Sequence, residues 1–146
     1  MRRVPILLAA AVALACLLAL PGAVACGGDD TDDARNAAEG YVQKLGKRDG
    51  AGTCEEMTKQ LQQQFLRAAV RTNAQFRGRS CTQVMQTALD SIAPAQLRQF
   101  AGAKIENVKV DGDRGTFRYT LGQIRVDGKV AKEDGDWKVS CCVPGQ

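Results

Sequence analysis

The sequence predicts an α+β fold, with N-terminal helices packed on a curved antiparallel β-meander of about four strands. Three observations carry this. Apolar residues recur at helical spacing over the first part of the chain, the period changes to two from Lys104 onward, and Asp-Gly pairs punctuate that second part. Helices first and antiparallel strands afterwards put the helices on one face of the sheet.

The first 25 residues read as an export signal rather than as part of the fold. Arg2 and Arg3 form a short positive region, "VPILLAAAVALACLLAL" is an apolar core, and "PGAVA" supplies small residues before a cut. An apolar run of about 17 residues, broken at Pro21-Gly22, is short for a membrane span. "AVAC" at 23–26 resembles a bacterial lipobox, in which Cys26 becomes a lipidated N-terminus; the alternative is a plain signal cut near Ala25. Cys16 lies inside the apolar run and would leave with the signal. Residues 26–32, "CGGDDTD", then read as the lipidated cysteine and a flexible acidic tether, and 33–146 as the folded domain.

Ala34, Ala37, Ala38, Tyr41, Val42 and Leu45 form one stripe of a first helix, with Thr31 or Asp32 as its cap. "GKRDG" ends it. A second helical region spans about 51–71, interrupted near Met57-Thr58, with Cys54, Leu61, Phe65 and Ala68 on one side. Ser80 and Gln83 suit a capping box, opening a helix whose stripe is Cys81, Val84, Met85, Ala88, Leu89 and Ile92. "PAQLRQF" adds a short helix starting at proline. "KIENVKV" is a strand, "DGD" a turn, and "GTFRYTL" alternates with Phe117, Tyr119 and Leu121 on one face. Asp127-Gly128 and Asp134-Gly135 are hairpin signals separating "QIRV", "KVAKE" and "DWKVSCCV".

Charge argues against a nucleic-acid partner. With Arg2 and Arg3 removed, 18 of the 20 basic residues face 16 acidic ones, a net charge of +2. Lys59, Arg67, Arg71, Arg77 and Arg79 make one region basic, flanked only by Phe65 and Phe76, which lacks the interleaved aromatics of a nucleic-acid surface. A solvated helix face and basic loop account for it, with weak attraction to anionic lipid or wall polymers as the alternative.

The order "AAEGYVQKLGKRDGAGTCEEMT", then a helix with Cys81, then "VKVDGDRGTFRYTL" and "VAKEDGDWKVSCC", resembles small secreted bacterial proteins of the nuclear transport factor 2-like (cystatin-like α+β cone) superfamily. The resemblance spans about residues 33–143. It implies a bent sheet wrapped around the helices, and a superfamily that holds enzymes, small-molecule binders and envelope proteins alike, so that function must be argued from a site.

Export implies an oxidising compartment, and with Cys26 lipidated, Cys54, Cys81, Cys141 and Cys142 remain, which allow three connectivities. Cys54 and Cys81, each on the apolar stripe of its own helix, are the preferred pair, and the resemblance implies the same pairing. On a regular strand Cys141 joins Trp137 and Val139 while Cys142 shares the side of Lys138 and Ser140. The two could close as an adjacent-residue disulfide serving as a redox switch, one could bridge elsewhere, or both could hold a soft metal; without histidine or a C-x-x-C spacing, a passive structural role is the leading reading and no metal or other cofactor is expected.

The absence of histidine removes imidazole general bases and Ser-His or Cys-His nucleophile pairs. Tyr41, Phe117 and Tyr119 are candidate cavity-lining residues, with the tyrosines placed in or beside the core. Asp111, Asp113, Asp127, Asp134 and Asp136 read as turn residues, and Glu106 and Glu133 as exposed strand positions, so no catalytic residue is assigned. The expectation is an extracytoplasmic lipoprotein, held to the outer face of the membrane through Cys26 and binding an envelope protein or small apolar ligand. The alternatives are a lyase or isomerase-like enzyme using the cone cavity, or a thiol redox sensor at Cys141 and Cys142.

Overall fold

The computed structural model describes residues 26–141, with side chains from Asp29 onward. Residues 1–25, which the sequence reads as an export signal, and Cys142 therefore lie outside the described residues. Five helices come first: α1 (Cys26–Gly46), α2 (Gly50–Glu55), α3 (Lys59–Thr72), α4 (Cys81–Asp90) and α5 (Pro94–Ala101). Four strands follow, β1 (Ile105–Asp111), β2 (Arg114–Leu121), β3 (Ile124–Glu133) and β4 (Asp136–Cys141), paired antiparallel in the order β1-β2-β3-β4. This is the α+β layout that the periodicities predict.

Helix α1 buries Ala34, Ala37, Ala38, Tyr41, Val42 and Leu45. Its start differs from expectation. Residues 26–32 are helical rather than a free tether, and Thr31 and Asp32 lie inside the helix instead of capping it. A contact from the far end of the chain accompanies this: Asp30 Oδ1 accepts hydrogen bonds from Lys132 Nζ at 2.6 Å and from Trp137 Nε1 at 3.3 Å. The Lys132 ammonium also lies 5.5 Å from the centre of the Trp137 ring, a cation–π distance.

Asp49 caps α2, its side chain accepting from the Gly52 N–H at 2.8 Å. The next break, at Met57-Thr58, docks on β4. Thr58 N–H donates to the Val139 carbonyl at 2.9 Å and Val139 N–H donates to the Glu56 carbonyl at 2.7 Å, covering part of an otherwise open sheet edge. Thr58 then caps α3. The Ser80–Gln83 capping box opens α4 as expected, and Pro94 stands in the first turn of α5.

In the sheet, Gly112 and the Asp134-Gly135 pair turn the chain, the latter with φ of 54° and 92° as a two-residue hairpin of the primed type requires. Asp127-Gly128 does not. It lies within β3, opposite Arg118 and Phe117, and the chain turns at Gly122-Gln123 instead. Two bulges bend the outer strands. Asn107, at φ 52°, and Val108 both stand opposite Phe117, and Ser140 is an extra residue between the Val130–Val139 and Lys129–Cys141 pairs.

Candidate functional site

The interior between helices and sheet is filled. Tyr41 and Tyr119 are fully buried and Phe117 is 2% exposed, with the Phe117 and Tyr119 rings stacked at 6.0 Å between centroids. These three expected cavity-lining residues do come together, but within one continuous apolar cluster that includes Met57, Leu89, Ile105, Val130 and Val139. Neither tyrosine hydroxyl has a hydrogen-bond partner among the described residues. Burial pushes both phenols well above their ordinary range, and in Tyr41 the proximity of Tyr119 adds to this. Both are held neutral, and neither can act as a base at ordinary pH.

No carboxylate among the described residues is buried. The acidic side chains of the sheet serve local structure instead. Asp127 accepts from Arg118 Nε at 2.6 Å, Asp134 from Lys59 Nζ at 2.7 Å, and Glu133 from the Lys59 backbone N–H. Arg118 and Lys59 hold the Asp127 and Asp134 carboxyls below the usual carboxylate range. No group of three or more histidine, cysteine or acidic residues among the described residues could hold a metal ion.

Cys54 and Cys81 form a disulfide, with Cα atoms 6.1 Å apart. It ties α2 to α4 where the helices approach so closely that a Cβ on Gly50 would meet the Gln86 backbone nitrogen at 2.8 Å. Cys141 is also disulfide-bonded. Its place on the sheet corrects the expectation from regular alternation. The bulge at Ser140 shifts the pattern by one residue, so Cys141 pairs with Lys129 in the row of exposed residues, away from Trp137 and Val139. Cys26 opens α1, with its side chain outside the described residues.

What remains open to a ligand is surface. A groove of about 550 Å³ crosses the outer face of the sheet, its lining including Asn107, Lys109, Thr116, Arg118, Asp127 and Lys129. A second, of about 710 Å³, shares Lys109, Thr116 and Lys129 and reaches Gln64 on α3 and Cys141 at the end of β4. Elsewhere, Leu66, Val70 and Phe76 floor a mostly apolar groove of about 500 Å³ at the C-terminal end of α3. The alternation of β1–β3 marks the exposed sheet face in the sequence; the α3 groove depends on how loop 73–79 folds back, which no local pattern announces.

Comparison with family models, curated proteins and solved structures finds no match for this chain. Among the described residues no helix is long and apolar enough to cross a membrane.

Proposed function

We propose that this chain is an exported envelope lipoprotein, anchored through Cys26, whose nuclear transport factor 2-like domain works by binding a partner at its surface. The observation that carries the binding role is the filled interior. A cone whose centre is occupied by Tyr41, Phe117, Tyr119 and aliphatic side chains, with no buried carboxylate among the described residues, favours surface recognition over the chemistry of a lyase or isomerase. Export is supported by the Cys54–Cys81 disulfide, which persists in an oxidising compartment, and by the signal-like segment ending in "AVAC".

Mass spectrometry of the chain recovered from the envelope tests this reading. The expected product begins at Cys26, carries diacylglycerol, and moves to the soluble fraction when Cys26 is changed to Ala. A product of unmodified mass removes the anchor. A second reading has one specific observation in its favour. Cys141 is already disulfide-bonded and half-exposed beside Lys129, a position from which a thiol couple could sense redox state. Titration against dithiothreitol and its oxidised form separates the two: a sensing bond opens at a potential well above that of Cys54–Cys81, a structural one does not.

A further inference from the structure

From Met57 to Leu89 the chain has no aspartate or glutamate, yet it carries Lys59, Arg67, Arg71, Arg77 and Arg79. Lys59 is satisfied by Asp134 at the start of α3. The four arginines have no carboxylate partner among the described residues, and three of them, Arg67, Arg71 and Arg79, rim the apolar groove floored by Leu66, Val70 and Phe76. The groove is built rather than incidental. Asn73 Oδ1 accepts from the Gln75 N–H at 3.0 Å to start a single 3₁₀ turn, and Arg79 N–H donates to the Phe76 carbonyl at 3.0 Å. Gly78, at φ 76°, reverses the backbone there, and Phe76 is thereby folded half-buried onto the end of α3.

We propose that this groove binds an acidic peptide segment of a partner protein, inserting one or two apolar side chains between carboxylates that pair with Arg67, Arg71 and Arg79. Complementarity of charge sets the sign of the ligand, because the site supplies only cations and the partner must supply the anions. The concave apolar floor sets its second property. A purely ionic polymer would leave Leu66, Val70 and Phe76 uncovered, whereas a leucine or phenylalanine flanked by glutamates covers them.

Position argues for a peptide over a bilayer. Asp30 near the start of α1 holds Lys132 and Trp137, and Lys59 at the start of α3 holds Glu133 and Asp134, so both helices begin at the β3–β4 hairpin. Along α3 the groove residues Leu66 to Arg71 then lie about 10–18 Å from that end. The end nearest Cys26 is acidic, with Asp29, Asp30, Asp32 and Asp33, and the arginine groove lies toward the other end of α3. An anchored domain would thus present the groove outward. This deepens the binding-module reading, but needs only the folded, oxidised chain and not its lipid.

Fluorescence anisotropy tests it on the exported, oxidised protein, with a labelled 12-residue peptide of paired glutamates alternating with leucines. The expected result is saturable binding that weakens as salt is raised, at least tenfold weaker for oligoglutamate of equal charge. Arg71→Glu with Arg79→Glu should lower affinity at least tenfold, and so should Val70→Ser, with circular dichroism unchanged because both arginines are exposed and Val70 is only part-buried at the groove floor. Equal affinity for oligoglutamate, no loss in the charge-reversed variant, or preferential co-sedimentation with phosphatidylglycerol vesicles overturns the proposal. Each of those outcomes is independent of the mass of Cys26, so failure of the groove and failure of the anchor are told apart.

Discussion

Phe117 on β2 lies across Gly128, its cross-strand partner on β3, so closely that a Cβ added to Gly128 would clash with the tip of the ring. The glycine is there to make room for an aromatic ring, and the ring in turn meets Tyr119 and closes the interior. The same Asp-Gly pair that reads as a hairpin is a packing device in the middle of a strand.

Gly128→Ala should therefore destabilise the domain by about 2–3 kcal/mol through overpacking, since the added methyl would clash with the Phe117 ring and one of the two must shift. Urea unfolding should show a lower midpoint with an unchanged slope. Pairing it with Phe117→Leu, which vacates the contested volume, should recover part of the loss, and strict additivity of the two changes would argue against this contact.

Removing the Cys54–Cys81 bridge as the double serine variant should lower stability by about 3–4 kcal/mol, as expected for a loop with a sequence separation of 27. Thermal unfolding of the oxidised protein and the variant checks this. A difference below about 1 kcal/mol would mean that the α2–α4 packing holds the helices together without the covalent link.

The two tyrosines give a pH signature. Both phenols are raised by burial above their value in the unfolded chain, near 10, so above that pH the unfolded state releases protons that the folded state keeps. Stability should be flat with respect to these groups below about pH 10 and fall above it. The chain has only these 2 tyrosines, so phenolate absorbance should rise together with loss of helical ellipticity in one alkaline transition. Phenolate formation in a still-folded protein would show that one hydroxyl reaches water. Tyr41→Phe should be neutral or stabilising by up to about 1 kcal/mol, because it deletes a hydroxyl that has no partner among the described residues.

Asp30→Asn should shift the emission of Trp137, the chain's one tryptophan, by weakening the Lys132–Asp30–Trp137 cluster. The Lys132 ammonium, with the Trp137 N–H, holds the Asp30 carboxyl below its ordinary range. The stabilisation from this pair is therefore present above the usual carboxylate pKa and lost as pH falls through the lower, folded-state value. Acid titration of the wild type should reproduce the emission change of the variant. Matched hydrogen exchange at the start of α1 in both proteins would contradict the link between this cluster and the helix start.

The helical stripes were open to reading because burial and period coincide: Ala34 through Leu45, and Cys81 through Leu89, are apolar where the helix faces the core. Local chemistry also marked the Ser80–Gln83 box and the Asp134-Gly135 turn. What escaped depends on residues far away in the chain. The start of α1 meets Lys132 and Trp137, more than 100 residues on, and the role of Gly128 is set by a ring on the neighbouring strand. Cys141 changes face because of one unpaired residue at 140, a shift of register that alternation alone does not reveal. The arginine groove shows the same limit: its basic residues are plain in the sequence, but its apolar floor exists only after loop 73–79 has folded onto α3.

The helical character of residues 26–32 alters the mechanics of an anchored protein. As an extended leash, seven residues would let the domain roam through a hemisphere of about 25 Å radius, sampling partners at every tilt. Wound into α1 they span only about 10 Å and turn with the body as one lever. On the proposed attachment at Cys26, the domain is held close to the bilayer and gives up reach for proximity.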